Sequence, residues 1–285
     1  MQSAKNKQVH DLSKKDMEKE KIITKTVWQH TEKLSEETME FLNGIAKDYA
    51  KVKTNVYERY SGIGSLGKLA SIYDLMAEMR HCGLREELKL PSVYYELAVR
   101  DGVSDIKGTW GIVKNKIRTL VSANENLSSE DRMYLRTVLR LDKVYAAILN
   151  REAYPMPEKT AGTAIDVKRL NNLLCRLTRK YLTKPKVGKA DSFCVSPGGY
   201  SYKDNTLCLV SRIPRRRIRL PLKDQKTSTR QLRLCIKGDH VVIAMPIEGK
   251  KRRHEDYQNT VYIHLGYQNM CTLSSGNIYG EKFGD

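Results

Sequence analysis

Arg212, Arg215, Arg216, Arg217 and Arg219 crowd around a single Ile213-Pro214 pair. A guanidinium is a planar fork of donors that grips phosphate oxygens two at a time, so this density of arginine suits a phosphate backbone. The pattern predicts a strand here, on which Arg215, Arg217 and Arg219 share one face. Alternate residues of a strand lie about 6.6 Å apart, close to the phosphate repeat along a nucleic-acid strand. Lys250, Lys251, Arg252 and Arg253 form a second basic run, expected in a loop. Arg230 and Arg233, on another expected strand, complete the candidate nucleic-acid-binding set.

Other reactive residue types are less organised. His264 stands between Ile263 and Leu265 in a short apolar strand, and its expected place is a semi-buried strand position. His10, His30, His81, His240 and His254 show no metal-ligand spacing with one another or with cysteine. The cysteines, Cys82, Cys175, Cys194, Cys208, Cys235 and Cys271, include no C-x-x-C pair, which leaves neither a zinc ribbon nor a redox motif. Each lies in an apolar pattern and is expected as a small reduced core residue. Tyrosine is abundant, 16 residues against 3 Phe. Tyr94, Tyr95, Tyr200, Tyr202, Tyr257 and Tyr262 are candidates for stacking on bases. Tyr49, Tyr60 and Tyr145, at helical spacing, are expected at core edges, and Trp110 in the core.

The chain that must position these groups has 285 residues, a formal charge of +18 and a hydrophobic fraction of 40%. That fraction excludes wholesale disorder. The charge directs attention to nucleic acid first and to an anionic membrane surface second. No apolar run approaches the roughly 20 residues of a membrane span, and the polar first 21 residues lack a signal-peptide core, so a cytoplasmic soluble protein is expected. No small-molecule substrate is indicated. Residues 185–257 carry 17 Lys or Arg against 7 Asp or Glu, whereas residues 1–184 carry 33 against 24 over far more chain. The electrostatic focus therefore falls on the region after residue 184.

Periodicity divides the chain. Residues 1–21 are a polar lead-in, and Ile22–His30 alternates as a strand. From Ser35 to Leu182 the period is helical: Met39, Leu42, Ile45, Tyr49, Val52 and Val56 mark one helix ending near Gly62. A second helix is expected over 66–82, a third from Pro91 onward, and a fourth after a Ser128/Asp131 capping box. AYPMPEK interrupts the pattern before a last helix over 165–182. Short strands follow at 192–195, 206–211, 217–222, 230–236 and 241–247, the last two forming a hairpin turned at Gly238-Asp239. Five such strands suggest a small barrel or compact sheet.

Three stretches carry a resemblance to a known family: LPSVYYELAVRDGVSDIKGTWGIVKNKI, RQLRLCIKGDHVVIAMPIE and YIHLGYQNMCTLSSGNIYGEKFG. Together the chain resembles about the first two-thirds of a TnpB-like protein, the RNA-guided transposon nucleases related to type V CRISPR effectors. The resemblance implies an α+β fold. A helical recognition lobe (31–183) would be inserted in a small β-barrel wedge domain (strand 22–30 and region 184–257). The start of an RNase H-like RuvC domain (258–285) would follow. It implies guide RNA and target DNA as partners, with protein contacts reading backbone shape while base pairing reads sequence. The intact family uses Mg²⁺, and here His264 occupies the position of its first catalytic Asp. With that change, and without the later RuvC strands and the zinc ribbon, the expectation is a truncated chain that needs no cofactor and does not cleave DNA. A nuclease-dead RNA-guided repressor and a general basic RNA-binding protein are the alternatives.

Overall fold

A computed structural model describes residues 22–160, 162–224, 226–250, 261–266 and 269–281. It is mixed α+β and divides into two units: Thr26–Ile247, and a second that includes the last three strands. Among the described residues, no helix is long and apolar enough to cross a membrane.

Strand β1 (Ile22–His30), which enters this unit at Thr26, leads to helix α1 (Glu36–Tyr60). Ser35 caps α1, its hydroxyl accepting from the Thr38 amide at 3.3 Å. The expected apolar stripe of α1, from Met39 to Val56, is buried. The helix expected over 66–82 is broken instead. Two 3-10 turns, Ile63–Ser65 and Gly67–Ala70, precede a shorter α2 (Ile72–Arg80), because the Ser71 hydroxyl accepts from the Asp74 amide and restarts the helix there. A short α3 (Leu84–Leu88) leads to α4 (Ser92–Ala123), the longest helix among the described residues. Gly102 on α4 meets α1 so closely that a Cβ would lie 2.9 Å from Val56 Cγ1. Next come α5 (Ser129–Val138), α6 (Asp142–Asn150) and α7 (Val167–Tyr181). The capping box before α5 is present with both of its hydrogen bonds.

The later strands are β2 (Ser192–Val195), β3 (Tyr200–Lys203), β4 (Thr206–Val210), β5 (Arg217–Pro221), β6 (Leu232–Lys237) and β7 (His240–Lys250), the last of which leaves this unit after Ile247. The expected hairpin is β6–β7, with Ile236 opposite Val241, Leu234 opposite Ile243, and Gly238 in the left-handed conformation its two-residue turn requires. The expectation of a barrel is corrected: the strands form two open antiparallel sheets, β1-β7-β6-β2 and β3-β4-β5. One isolated bridge, Thr31 opposite Leu222, links β1 to the end of β5. The Lys223 amide donating to His30 O at 2.9 Å supports it. On the other side β2 and β3 are joined only through the turn Pro197–Gly199. The start of α4 packs at that opening: Tyr94 donates its hydroxyl to Val210 O at 2.8 Å and packs edge-on against Phe193. A Cβ on Gly199 would lie 3.1 Å from Val93. Helix therefore stands where a barrel would have continued its ladder.

One carboxylate joins the helices to the first sheet. Asp101 Oδ2, on α4, accepts from Tyr49 of α1 at 2.9 Å and from Arg233 of β6 at 2.9 Å. Cys194 Sγ of β2 lies 3.6 Å from the same oxygen, and Cys194 and Arg233 are cross-strand partners. Burial, with Cys194 and Asp101 adding to it, pushes the Tyr49 hydroxyl far above the ordinary phenol range, so it stays a donor. Burial likewise raises the Cys194 thiol.

The second unit contains β8 (Ile263–Leu265), β9 (Asn269–Leu273) and β10 (Ile278–Glu281). They form a three-stranded antiparallel meander in the order β10-β9-β8, one strand more than the hairpin expected. The Ser274-Ser275-Gly276 turn is present, with Gly276 at φ +85.

Replacing Asp101 with Ala strands the buried Tyr49 hydroxyl and is expected to lower unfolding stability by about 2–4 kcal/mol. Tyr49→Phe, which removes donor and need together, should cost about 1 kcal/mol or less. Urea denaturation of both variants measures the difference, and equal losses would remove Asp101 from its joining role.

Candidate nucleic-acid interface

The expected arginine row is rearranged by the backbone. β5 begins at Arg217, and Arg215 sits before it in a turn with φ +65. The expectation that Arg215 shares a strand face with Arg217 and Arg219 is therefore corrected; Pro214, which cannot donate to a ladder, precedes this turn. Arg217 and Arg219 do share a face of β5. Both are exposed, opposite Val210 and Cys208 of β4, while Leu220 is buried beneath them.

Arg212 is placed differently again. Its guanidinium turns inward, donating to Asp48 Oδ2 at 2.6 Å and Gly44 O at 3.0 Å on α1. It fastens the β4–β5 connection to the helical region rather than facing solvent as a free cation. Arg216 forms an exposed pair with Glu37 at 3.1 Å. Arg216, Arg217 and Arg219 then line one concavity of about 250 Å³ together with Phe41 and Ile213. Ile213 is 49% exposed. The combination places two strand arginines without ion pairs among the described residues beside apolar surface, which fits a phosphate backbone with a base or sugar packed alongside.

The remaining candidates scatter. Arg233 faces Asp101, as described. Arg230 lies just before β6, its carbonyl accepting the Tyr200 hydroxyl at 2.5 Å. Lys250 ends β7 rather than lying in a loop, and Lys251, Arg252 and Arg253 lie outside the described residues.

The tyrosines behave as core staples. Tyr94 and Tyr95 are buried at 0% and 1% exposure, which withdraws them as stacking platforms. Tyr60 donates to Glu78 at 2.6 Å, Tyr95 to Met79 O at 2.5 Å, and Tyr145 shares a hydrogen bond with Thr178 at 2.7 Å. Tyr49, Tyr60 and Tyr145 are thus inside the core, not at its edge. Trp110 is buried as expected, edge-on to Tyr145. Tyr200 is buried, Tyr202 half-buried and Tyr262 exposed, while Tyr257 lies outside the described residues. Among the cysteines only Cys194 is fully buried; the other five are intermediate.

His264 is exposed on β8, opposite Thr272 of β9, and not semi-buried as expected. Its neighbours on β8 are Ile263 and Leu265. Mg²⁺ requires hard oxygen ligands in octahedral array, and a pair of such ions needs a bridging carboxylate. One neutral imidazole between two aliphatic residues does not fit that ion. Among the described residues, no group of three or more His, Cys, Asp or Glu is placed to hold a metal.

Sequence reasoning missed one basic surface. Helix α7 buries Leu170, Leu174 and Thr178 and turns its cations outward, a segregation hidden in the modest net charge of the helical half.

Replacing Arg217 and Arg219 together with Ala should leave thermal stability within about 2 °C and lower the logarithmic salt dependence of RNA binding by roughly 1.5–2. Arg212→Ala should do the reverse, costing about 2 kcal/mol of stability with an unchanged salt slope. Identical behaviour of the two variants would dissolve the distinction between facing and anchoring arginines. Compared with known proteins, the chain matches no family model and no curated protein.

Proposed function

We propose that this chain is a TnpB-like, RNA-guided DNA-binding protein that holds guide RNA and target DNA through basic surfaces and does not cleave DNA by itself. The supporting observation is the concavity that gathers Arg216, Arg217 and Arg219 beside Phe41 and Ile213, on a chain of net charge +18. Guanidinium groups on a strand face follow a backbone without reading sequence, which is the role left to protein when base pairing supplies specificity. The wedge, recognition-lobe and RuvC assignments belong to this reading and rest on the sequence resemblance. The absence of cleavage rests on His264: imidazole is a poor substitute for a carboxylate that bridges two hard ions.

RNA that copurifies with the protein should be dominated by discrete transcripts from the neighbourhood of its own gene. A random population would favour a general basic RNA-binding protein and count against guided recognition. Matched DNA should remain uncut with Mg²⁺ present, and His264→Asp should not change this, since one carboxylate on β8 cannot hold two metals. Cleavage gained by that substitution would overturn the nuclease-dead assignment.

A further inference from the structure

Helix α7 carries no acidic residue between Val167 and Tyr181. At 3.6 residues per turn, Lys168, Asn172, Arg176 and Arg179 fall within an arc of roughly 80°, and Arg169 and Lys180 widen it to about 120°. All six are exposed, while Leu170, Leu174 and Thr178 on the opposite side are buried. Arg169 pairs with Asp131 at 2.6 Å. Lys168, Arg176 and Arg179 form no ion pair among the described residues.

The surroundings of this stripe are as informative as its charge. Two concavities of about 650 Å³ each flank the helix and share Lys168 and Asn172 as their common wall. One adds Arg169 and Arg176 from α7, with the amides of Asn124 and Asn126. The other adds Arg179 from α7 and Arg151 from the end of α6. Each holds three cations against one carboxylate, Asp166 in the first and Glu152 in the second. The helix is thus a crest between two basic troughs. From Lys168 to Arg179 the crest runs about 16 Å, and the major groove of B-form DNA, about 12 Å wide, accepts an α-helix.

We infer that α7 seats in the major groove of a B-form DNA duplex, with one phosphate strand in each flanking trough and Lys168 and Asn172 facing the groove. This rests on the nucleic-acid-binding reading proposed above and adds a second surface to it. A single strand would occupy one trough and stack its bases on rings. Among the lining residues the one aromatic, Tyr154, is held through its hydroxyl by Tyr134 and Asn171. A membrane-surface helix would expose large apolar side chains between its cations; here Leu170 and Leu174 are buried.

The full chain and a Lys168→Gln/Arg176→Gln/Arg179→Gln variant are titrated with a single-stranded RNA and with blunt RNA and DNA duplexes of equal length, at several salt concentrations. The variant should bind the DNA duplex about tenfold more weakly, with the salt slope lowered by roughly 2–3, and the single strand within about twofold of the parent, whereas loss on the RNA duplex alone would overturn the assignment. An Arg176→Lys/Arg179→Lys variant should retain duplex binding. Equal loss on single and double strands would overturn the groove assignment in favour of diffuse attraction. Unchanged duplex binding, with loss of adhesion to phosphatidylserine vesicles, would overturn it in favour of a membrane surface. If the Arg217/Arg219 variant weakens binding and the α7 variant does not, the crest fails and the proposed function stands. Duplex binding that depends on α7, without guide transcripts in the copurified RNA, leaves the crest standing and removes RNA guidance. A parent chain that binds no nucleic acid sinks both.

Discussion

The carboxylate of Asp101 is the point at which helices become attached to sheet. A single oxygen, Oδ2, receives a phenol from α1 and a guanidinium from β6, with the thiol of β2 close by. Tyr49 is buried and Asp101 nearly so, whereas the Arg233 side chain keeps 45% of its surface. The charge is therefore neutralised from the solvent side and hydrogen-bonded from the core side, the arrangement that lets a carboxylate sit at an interface without a large desolvation cost. Arg212 repeats the device with Asp48, between the second sheet and α1. Two arginines of the basic β-region thus hold the scaffold, and their neighbours are left to face outward.

That division explains why charge alone overstates the binding surface. Arg212 and Arg233 count in the net charge yet have carboxylates opposite them, while Arg217 and Arg219 do not. The same holds for tyrosine. The excess over phenylalanine arises from packing interfaces that each need one polar termination: Tyr60 to Glu78, Tyr95 to Met79 O, Tyr145 to Thr178 and Tyr94 to Val210 O. A phenol satisfies a buried carbonyl or carboxylate while contributing a ring to the core, which phenylalanine cannot do.

Much of the fold was legible because period and capping are local properties. β1, α1, the α5 capping box and the β6–β7 hairpin all follow from alternation, helical stripes and turn residues within short windows. The second helix was misread because Ser71 ends one pattern and starts another without an apolar interruption. β3 escaped because YSYK is short and polar outward, and its strand state depends on pairing with β4. The open sheets escaped because the opening is filled by the start of α4, from residues about 100 positions away in the chain. At the candidate site, the sequence located the arginines but not their directions. Whether a guanidinium points to solvent or to Asp48 is decided by a helix 164 residues distant. The α7 crest was readable in principle from its unmixed cationic arc, but averaging charge over the helical half concealed it.

The pairing of the first strand with a late one also bears on how the chain is made. The Val241 amide reaches the Thr31 hydroxyl across a separation of 210 residues, and β1 is the outermost strand of its sheet, paired with β7. On a ribosome adding about 5–20 residues per second, β1 waits on the order of 10–40 s for its partner. The helices between them close through nearer neighbours and can consolidate during that interval. Until β7 emerges, β1 presents Val27 and Trp28 directly after the polar run Thr24, Lys25 and Thr26. Those polar residues interrupt what would otherwise be an adhesive edge, so the nascent chain carries its own protection against pairing with another copy before β7 emerges.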